Sequence, residues 1–226
     1  MQFKHGNITL IHGDCMEYMQ SMDWKADLAI VDPPYGIGVN VSMGRRKGDK
    51  KSKHHKFEGE DKSIPTKDYF DLIKEKSLNQ IVWGGNYMTE FLPPSPCWIM
   101  WDKGFSEEVS FAQIELAWTS FKSSAKKYEF NASANKSRIH PTQKPVALYK
   151  WLLANYAKKG ERILDTHGGS MSIAIACHDL GFELVCIEKD LDYFNAAVKR
   201  FKQHIKQSTI QFPDQPTQPT QSTLQL

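Results

Sequence analysis

Short apolar runs separated by amphipathic stretches recur along the chain and constrain its fold more than any other feature. The runs Ile8–His12, Leu28–Val31, Gln80–Trp83, Trp98–Trp101, Gln113–Thr119, Arg162–Leu164 and Leu184–Ile187 have the length and apolar content of strands. Between them, Cys15–Met22, Thr66–Lys76, Pro145–Lys158, Met171–Leu180 and Leu191–Lys206 carry helical patterning. Pro145 suits a first helical turn, and Gly181 suits a left-handed helix stop. Strands that alternate with helices predict an α/β domain, a mostly parallel seven-stranded sheet with helices on both faces. Ligands of such sheets lie beyond the carboxyl ends of the strands, so residues there are the first candidates for chemistry.

The 226 residues suffice for one full-sized domain, expected over residues 1–206. Within it, residues 39–63 lack apolar periodicity and read as a long mobile loop. Residues 207–226, rich in Gln, Thr, Pro and Ser, read as a disordered tail. No apolar run approaches membrane-spanning length and no secretory leader opens the sequence, so a cytoplasmic location is expected. Cys15, Cys97, Cys177 and Cys186 are scattered, without C-x-x-C spacing or a neighbouring His at zinc-site spacing. They read as small buried side chains in a reducing compartment, and no metal is expected.

Charge is uneven. Between Gly44 and Lys56, seven cations (Arg45, Arg46, Lys47, Lys50, Lys51, Lys53 and Lys56) stand against one acid, Asp49. With a net charge of +3 overall, the rest of the chain is mildly acidic. A solvated surface loop or a contact with a phosphate backbone would both account for such a run.

Position favours the second. The run follows Asp32-Pro33-Pro34-Tyr35-Gly36, which itself follows the apolar strand Leu28–Val31. Two prolines fix φ and remove two N–H donors, so the loop presents carbonyls and the Asp32 carboxylate as acceptors. That suits a substrate whose reacting group is an amino donor. The nitrogen of an exocyclic base amine is a poor nucleophile because its lone pair is delocalised into the ring. Hydrogen bonds from its protons to Asp32 and the Pro33 carbonyl would draw it towards a tetrahedral, attacking geometry. Tyr35 could stack on a base turned out of the duplex.

A second site is marked by Arg162–Leu164 running through Asp165-Thr166-His167-Gly168-Gly169-Ser170 into a helix. Glycines admit close approach of a ligand to the backbone, and the helix start offers N–H groups. Glu188, at the end of the next strand, is placed to accept hydrogen bonds from ribose hydroxyls.

At Asp32–Tyr35 the sequence resembles the amino-methyltransferases of DNA, whose catalytic motif is (D/N/S)-P-P-(Y/F/W). The D-P-P-Y form looks like the adenine N6 enzymes. Asp165, Gly169 and Ser170 match that family's cofactor motif, D-P-F-x-G-S-G-T, while Thr166, His167 and Met171 depart from it. His167 would either pack in place of Phe or contact the methionine end of the cofactor. His140–Pro145 resembles a further motif of the family, which implies Lys144 and Thr142 as partners of the cofactor carboxylate. Ile11–Cys15 resembles the segment whose Asp, here Asp14, reads the cofactor adenine; Asp14 also suits a helix N-cap. Trp83–Asn86 resembles the motif lining the base pocket, with core packing the other role open to Trp83. The order of the pieces resembles the beta class, across roughly residues 7–200, in phage or bacteria.

The resemblance implies a Rossmann-like fold, S-adenosylmethionine as cofactor and double-stranded DNA as partner. It implies Asp32, Pro33, Pro34 and Tyr35 as the catalytic loop, with Asp14, Thr142, Lys144, Asp165, His167, Gly169, Ser170 and Glu188 around the cofactor. Arg45, Arg46, Lys47, Lys50, Lys51 and Lys53 would meet DNA, joined by Lys126 and Lys127 from a short recognition region at about 103–139. A region so short implies a short target or help from a second subunit, as in a homodimer. Methylation of adenine N6 is the leading expectation; cytosine N4 methylation, or DNA binding without catalysis, are the alternatives.

Overall fold

A computed structural model describes residues 1–38, 61–105, 112–131 and 138–211, with side chains as far as 207. All seven expected strands are present, joined by two more at the edges of the sheet. In chain order the strands are β1 (Gln2–His5), β2 (Ile8–His12), β3 (Ala26–Val31), β4 (Ser77–Trp83), β5 (Trp98–Asp102), β6 (Ile114–Thr119), β7 (Lys126–Glu129), β8 (Arg162–Asp165) and β9 (Glu183–Glu188). The helices are α1 (Cys15–Ser21), α2 (Lys67–Lys76), α3 (Val146–Tyr156), α4 (Ser172–Leu180) and α5 (Leu191–Gln211).

The strands form one sheet in the order β1-β2-β9-β8-β3-β4-β6-β5-β7. β2, β9, β8, β3 and β4 are parallel neighbours. β1 and β6 run against the rest, and β5 and β7 return to the common direction. β3 and β8 lie side by side, yet β3 leads through α2 to β4 while β8 leads the other way through α4 to β9. The connections diverge there and leave a crevice at the carboxyl ends, which is where such sheets bind ligands.

Strand periodicity builds three layers. Leu28 and Ile30 of β3, Ile81 and Trp83 of β4, and Leu184 and Cys186 of β9 join one apolar cluster with Leu148, Leu152, Ile173, Ala174 and Phe201. The alternate residues Ala29, Val31, Val82, Val185 and Ile187 join Met19 of α1 and Tyr69, Phe70 and Ile73 of α2. Helices α3, α4 and α5 therefore cover one face and α1 and α2 the other. A central strand must be apolar at every position for this, which is why β3 reads Ala-Asp-Leu-Ala-Ile-Val with one interruption.

The helix ends follow their local chemistry. Gly181 takes φ 75° after α4, and the Phe182 N–H returns to the Cys177 carbonyl at 2.9 Å. Pro145 stands one place before α3 rather than inside it. α5 runs on to Gln211, so the first five residues of the expected tail are helical. β1 and β7 escape sequence reading because Gln-Phe-Lys-His and Lys-Lys-Tyr-Glu are polar, largely exposed edge strands defined only by their pairing. Among the described residues, no helix is long and apolar enough to cross a membrane.

Candidate active site

Asp32 stands one residue beyond β3 and Asp165 is the last residue of β8, so the two carboxylates flank the crevice. After the two prolines, the N–H groups of Tyr35 and Gly36 both donate to Asp61 Oδ1, at 2.7 and 3.0 Å. The Gly38 N–H donates to the Asp61 carbonyl at 2.9 Å. Asp61 is buried. It falls within the stretch 39–63 expected to be mobile, and its hydrogen bonds make that end of the stretch part of the scaffold. From residue 33 to residue 36 the loop N–H groups are thus removed by proline or taken by Asp61.

The Asp32 carboxylate is held at both oxygens. The Tyr35 hydroxyl donates to Oδ1 at 2.6 Å, and the Lys144 ammonium pairs with Oδ2 at 2.5 Å. The Lys144 side chain is 2% exposed, and Nζ also lies 3.3 Å from the Tyr35 hydroxyl, 3.2 Å from Glu115 Oε2 and 5.0 Å from the Trp83 ring centroid. Glu115 Oε1 in turn pairs with Lys103 at 2.5 Å. Burial opposes the charge of Lys144, but Asp32 and Glu115 outweigh it and raise its pKa. Burial likewise opposes the Glu115 carboxylate, and Lys144 and Lys103 prevail to hold its pKa below the ordinary value. Burial, then Asp32, pushes the Tyr35 hydroxyl well above its usual range, so it remains a donor.

The Tyr35 ring stacks on Tyr87 with centroids 5.4 Å apart and planes at 20°. Gly84, at φ 68°, lets the ring sit there: a Cβ on residue 84 would lie 2.2 Å from Tyr35 Cε1. Trp83 is wholly buried in the core, beneath Lys144. Of the two roles open to it, packing is the one observed.

On the other side of the crevice, Asp165 Oδ1 accepts the His167 N–H at 3.0 Å. Burial pushes its pKa up to about 7, against the pull of that hydrogen bond. Thr166, standing where the family motif has Pro, shares a 2.7 Å hydrogen bond with the Tyr69 hydroxyl of α2. His167 packs edge-on against Tyr69, centroids 5.4 Å apart, and its Nδ1 lies 2.9 Å from Thr166 Oγ1. Burial takes its pKa down to about 4, so the ring is neutral.

Gly168 leaves no room for a side chain, since a Cβ there would lie 2.8 Å from Cys186 Sγ. The Gly169 N–H donates to Glu188 Oε2 at 2.6 Å, and the Asp190 N–H to Oε1 at 2.8 Å. Met171 takes the left-handed conformation, φ 50° and ψ 39°, with its side chain in the core. The turn thus keeps a glycine-like backbone where Met replaces Gly. Ser170 is buried; its hydroxyl lies 3.1 Å from that of Ser172 and its carbonyl accepts from Arg200 at 3.0 Å.

Asp14 caps α1, accepting the Met16 N–H at 2.8 Å, and pairs with Lys189 at 3.1 Å. The neighbouring Gly13 N–H bonds the Glu188 carbonyl at 3.0 Å, which ties the ends of β2 and β9 together. Thr142 Oγ1 lies 3.0 Å from His140 Nδ1, and the His140 ring meets Tyr193 at 4.3 Å and lies against Gly169.

Among the expected cofactor residues, Asp14, Asp165, His167, Gly169, Ser170 and Glu188 gather at the ends of β2, β8 and β9, whereas Lys144 is engaged with Asp32 and Thr142 with His140. Lys126 and Lys127 lie on edge strand β7, where Lys127 pairs with Asp102 at 3.0 Å and Glu129 at 2.7 Å, and Lys126 donates to Asn155 at 2.8 Å. The expected recognition region contributes β6 and β7 to the sheet. Arg45, Arg46, Lys47, Lys50, Lys51 and Lys53 lie outside the described residues. Asp61, Lys103, Glu115 and Tyr87 escaped sequence reading. The one signal was a carboxylate, Glu115, inside an otherwise apolar strand.

A mostly parallel sheet with strand-end acids on both sides of its crevice and a glycine-tight turn before a helix defines the Rossmann-like methyltransferase fold. The chain belongs to the N6/N4 DNA amino-methyltransferase family, whose model, described as DNA methylase, matches residues 76–199. The match takes in Glu115, Lys144, the Asp165 turn and Glu188; Asp32 precedes it. The Type II methyltransferase M2.DpnII of Streptococcus pneumoniae is 23% identical over 252 residues, 88% of this chain and 91% of that protein. The M1.HpyAVI–SAM complex superposes with a TM-score of 0.59 at 18% identity, covering 85% of this chain and 98% of its own. The PvuII cytosine-N4-specific DNA methyltransferase gives 0.58 at 11% identity, covering 90% and 93%. At these identities the two structures speak for the fold.

Proposed function

We propose that this protein transfers the methyl group of S-adenosylmethionine to the N6 amino group of adenine in DNA. The observation that carries the reading is the Asp32 carboxylate, held at a strand end and followed by four residues whose N–H groups are removed by proline or taken by Asp61. Such a loop accepts hydrogen bonds and offers none, which matches an amino group with two N–H bonds to give. Asp32 and the Pro33 carbonyl accept those bonds and localise the lone pair on the nitrogen. Positioning and electrostatics then supply the rate, and Asp32 is the base at hand for the proton the nitrogen sheds. Tyr35 keeps the carboxylate oriented. Its ring is already stacked on Tyr87, which is 43% exposed, so Tyr87 is the aromatic surface a turned-out base would meet.

The cofactor fits the crevice opposite. Gly168 has no space for a side chain, and the ends of β2, β8 and β9 bring Asp14, Asp165, Gly169 and Glu188 to one place. Glu188 suits ribose hydroxyls as a carboxylate at the end of β9 beside the glycine turn; Asp14 suits the adenine amino group. His167 and Thr166 brace the turn through Tyr69, and Ser170 holds the start of α4 through Ser172 and Arg200. Thr142 acts through His140, which rests on Gly169. When bound, the cofactor supplies an electrophilic methyl group on a sulfonium.

Adenine is favoured over cytosine N4 by the D-P-P-Y form of the loop. Nucleoside analysis of DNA methylated by the purified protein tests it: N6-methyladenine is expected, and N4-methylcytosine alone overturns the choice of base. Asp32→Ala is expected to abolish transfer and leave S-adenosylmethionine affinity within about threefold, by calorimetry. Loss of cofactor binding in that variant would refute the division of roles.

A further inference from the structure

Lys144 has three N–H donors and three acceptors around it: Asp32 Oδ2 at 2.5 Å, Glu115 Oε2 at 3.2 Å and the Tyr35 hydroxyl at 3.3 Å. The Glu115 contact is an ion pair off the hydrogen-bonding direction, so Oε2 is a buried oxygen without a directed hydrogen bond. Its twin, Oε1, is held by Lys103 at 2.5 Å. Charges therefore alternate along one line: Asp32, Lys144, Glu115, Lys103. The inner end is the carboxylate that the reaction needs; the outer end, Lys103, is 15% exposed.

Glu115 reaches this place because β6 runs against its neighbours. Its first residues lie where the parallel strands end, with Glu115 opposite Trp101 and Ala117 opposite Trp83. The Lys103 ammonium lies 5.5 Å from the Trp101 ring centroid, which steadies it there.

A cation at 2.5 Å both orients Asp32 and competes with any amino group that would bond the same oxygen. A buried lysine with one carboxylate partner would keep that partner, because leaving it would strand a charge in a low-dielectric site. A second carboxylate at 3.2 Å removes that penalty. We propose that Glu115 is a positioning residue for methyl transfer, the alternative partner onto which Lys144 leans when the target amino group takes its place at Asp32. Lys103 keeps Glu115 ionised and aimed. No bond is made or broken in this step; one ion pair is exchanged for another as the substrate hydrogen bond forms. The inference rests on the proposed amino-group methylation and adds the residue that makes Asp32 available to it.

The test uses the full-length protein and a DNA substrate that the wild type methylates. Glu115→Gln removes the alternative partner and is expected to lower kcat about 100-fold, the scale of a displaced reacting group. The dissociation constant for S-adenosylmethionine and the KM for DNA should stay within about threefold, because in the proposed role Glu115 acts only through Lys144. Because that variant leaves an unbalanced cation and could unfold, Glu115→Gln is also combined with Lys103→Met, which restores the charge balance of the cluster. A purely structural Glu115 predicts that the double variant recovers both thermal stability and kcat. A positioning role predicts recovered stability with kcat still depressed, and partial rescue of kcat by Glu115→Asp. A double variant with wild-type kcat overturns the proposal, as does a kcat loss matched by an equal loss of cofactor affinity. A wild type that methylates no amino group would instead overturn the proposed function.

Discussion

Asp165 and His167 are two residues apart in one turn, and burial moves both towards their neutral forms. Asp165 rises from 3.8 to about 7, so its contribution to stability is complete below about pH 4 and is lost as the pH rises to about 7. His167 falls from 6.5 to about 4, so its contribution is complete above about pH 6.5 and is lost as the pH falls to about 4. Over the shared window, about pH 4 to 6.5, the two slopes oppose and their contributions nearly cancel in the wild type. Single variants expose each slope. Asp165→Asn should lose stability towards acid, and His167→Phe should lose it towards neutrality, each on the order of 3 kcal/mol across its window. Urea unfolding over a pH series measures this, and profiles parallel to wild type in both variants would refute it.

At the same scale, the chemistry of Asp32-Pro33-Pro34-Tyr35 was readable because it is local: proline removes donors wherever it stands. The partners of that loop were not readable. Asp61 is 26 residues and Lys144 109 residues from Tyr35, and nothing in the intervening chain announces the contact.

Among elements, the join of β8 to α4 carries the largest departure from the family motif. Met171 occupies a left-handed position that favours glycine, yet its side chain is buried. Both Met171→Ala and Met171→Gly should therefore destabilise, by about 2–4 kcal/mol for lost core volume. Glycine is ordinarily worse than alanine near a helix, by about 1 kcal/mol. Here the order should reverse by about 1 kcal/mol, because only glycine escapes the left-handed strain. Chemical denaturation of the two variants checks the order, and an alanine variant more stable than the glycine one would contradict the backbone assignment. The central strands and long helices were legible from apolar periodicity because they are buried on defined faces. The edge strands β1 and β7 were not, since their formation depends on a neighbour rather than on their own residues.

For the whole molecule, the basic run and the paired lysines of β7 predict different behaviour with DNA. Lys126 and Lys127 already hold protein partners. Replacing both with Gln should change DNA affinity less than about threefold, because Lys127 stands between two carboxylates that offset its charge and Lys126 is turned to Asn155. Neutralising Arg45, Arg46, Lys47, Lys50, Lys51 and Lys53 should flatten the dependence of log K on log salt by about 0.9 for each phosphate that the variant no longer neutralises. Fluorescence anisotropy at increasing salt reads both, and an unchanged slope in the six-site variant would remove the basic run from the interface.

The sequence by itself determined the class of fold, the acceptor character of the Asp32 loop and the presence of a glycine-tight turn between β8 and α4. These follow from residue period, from proline and glycine geometry, and from spacing along one strand–turn unit. Tertiary structure alone decided that Lys144 serves Asp32, that Asp61 anchors the loop and that Glu115 closes the cluster. The reason is physical: a buried charge is stabilised by whichever opposite charge lies nearest in space. Here the divergence of β3 and β8 and the reversed course of β6 decide which charge that is.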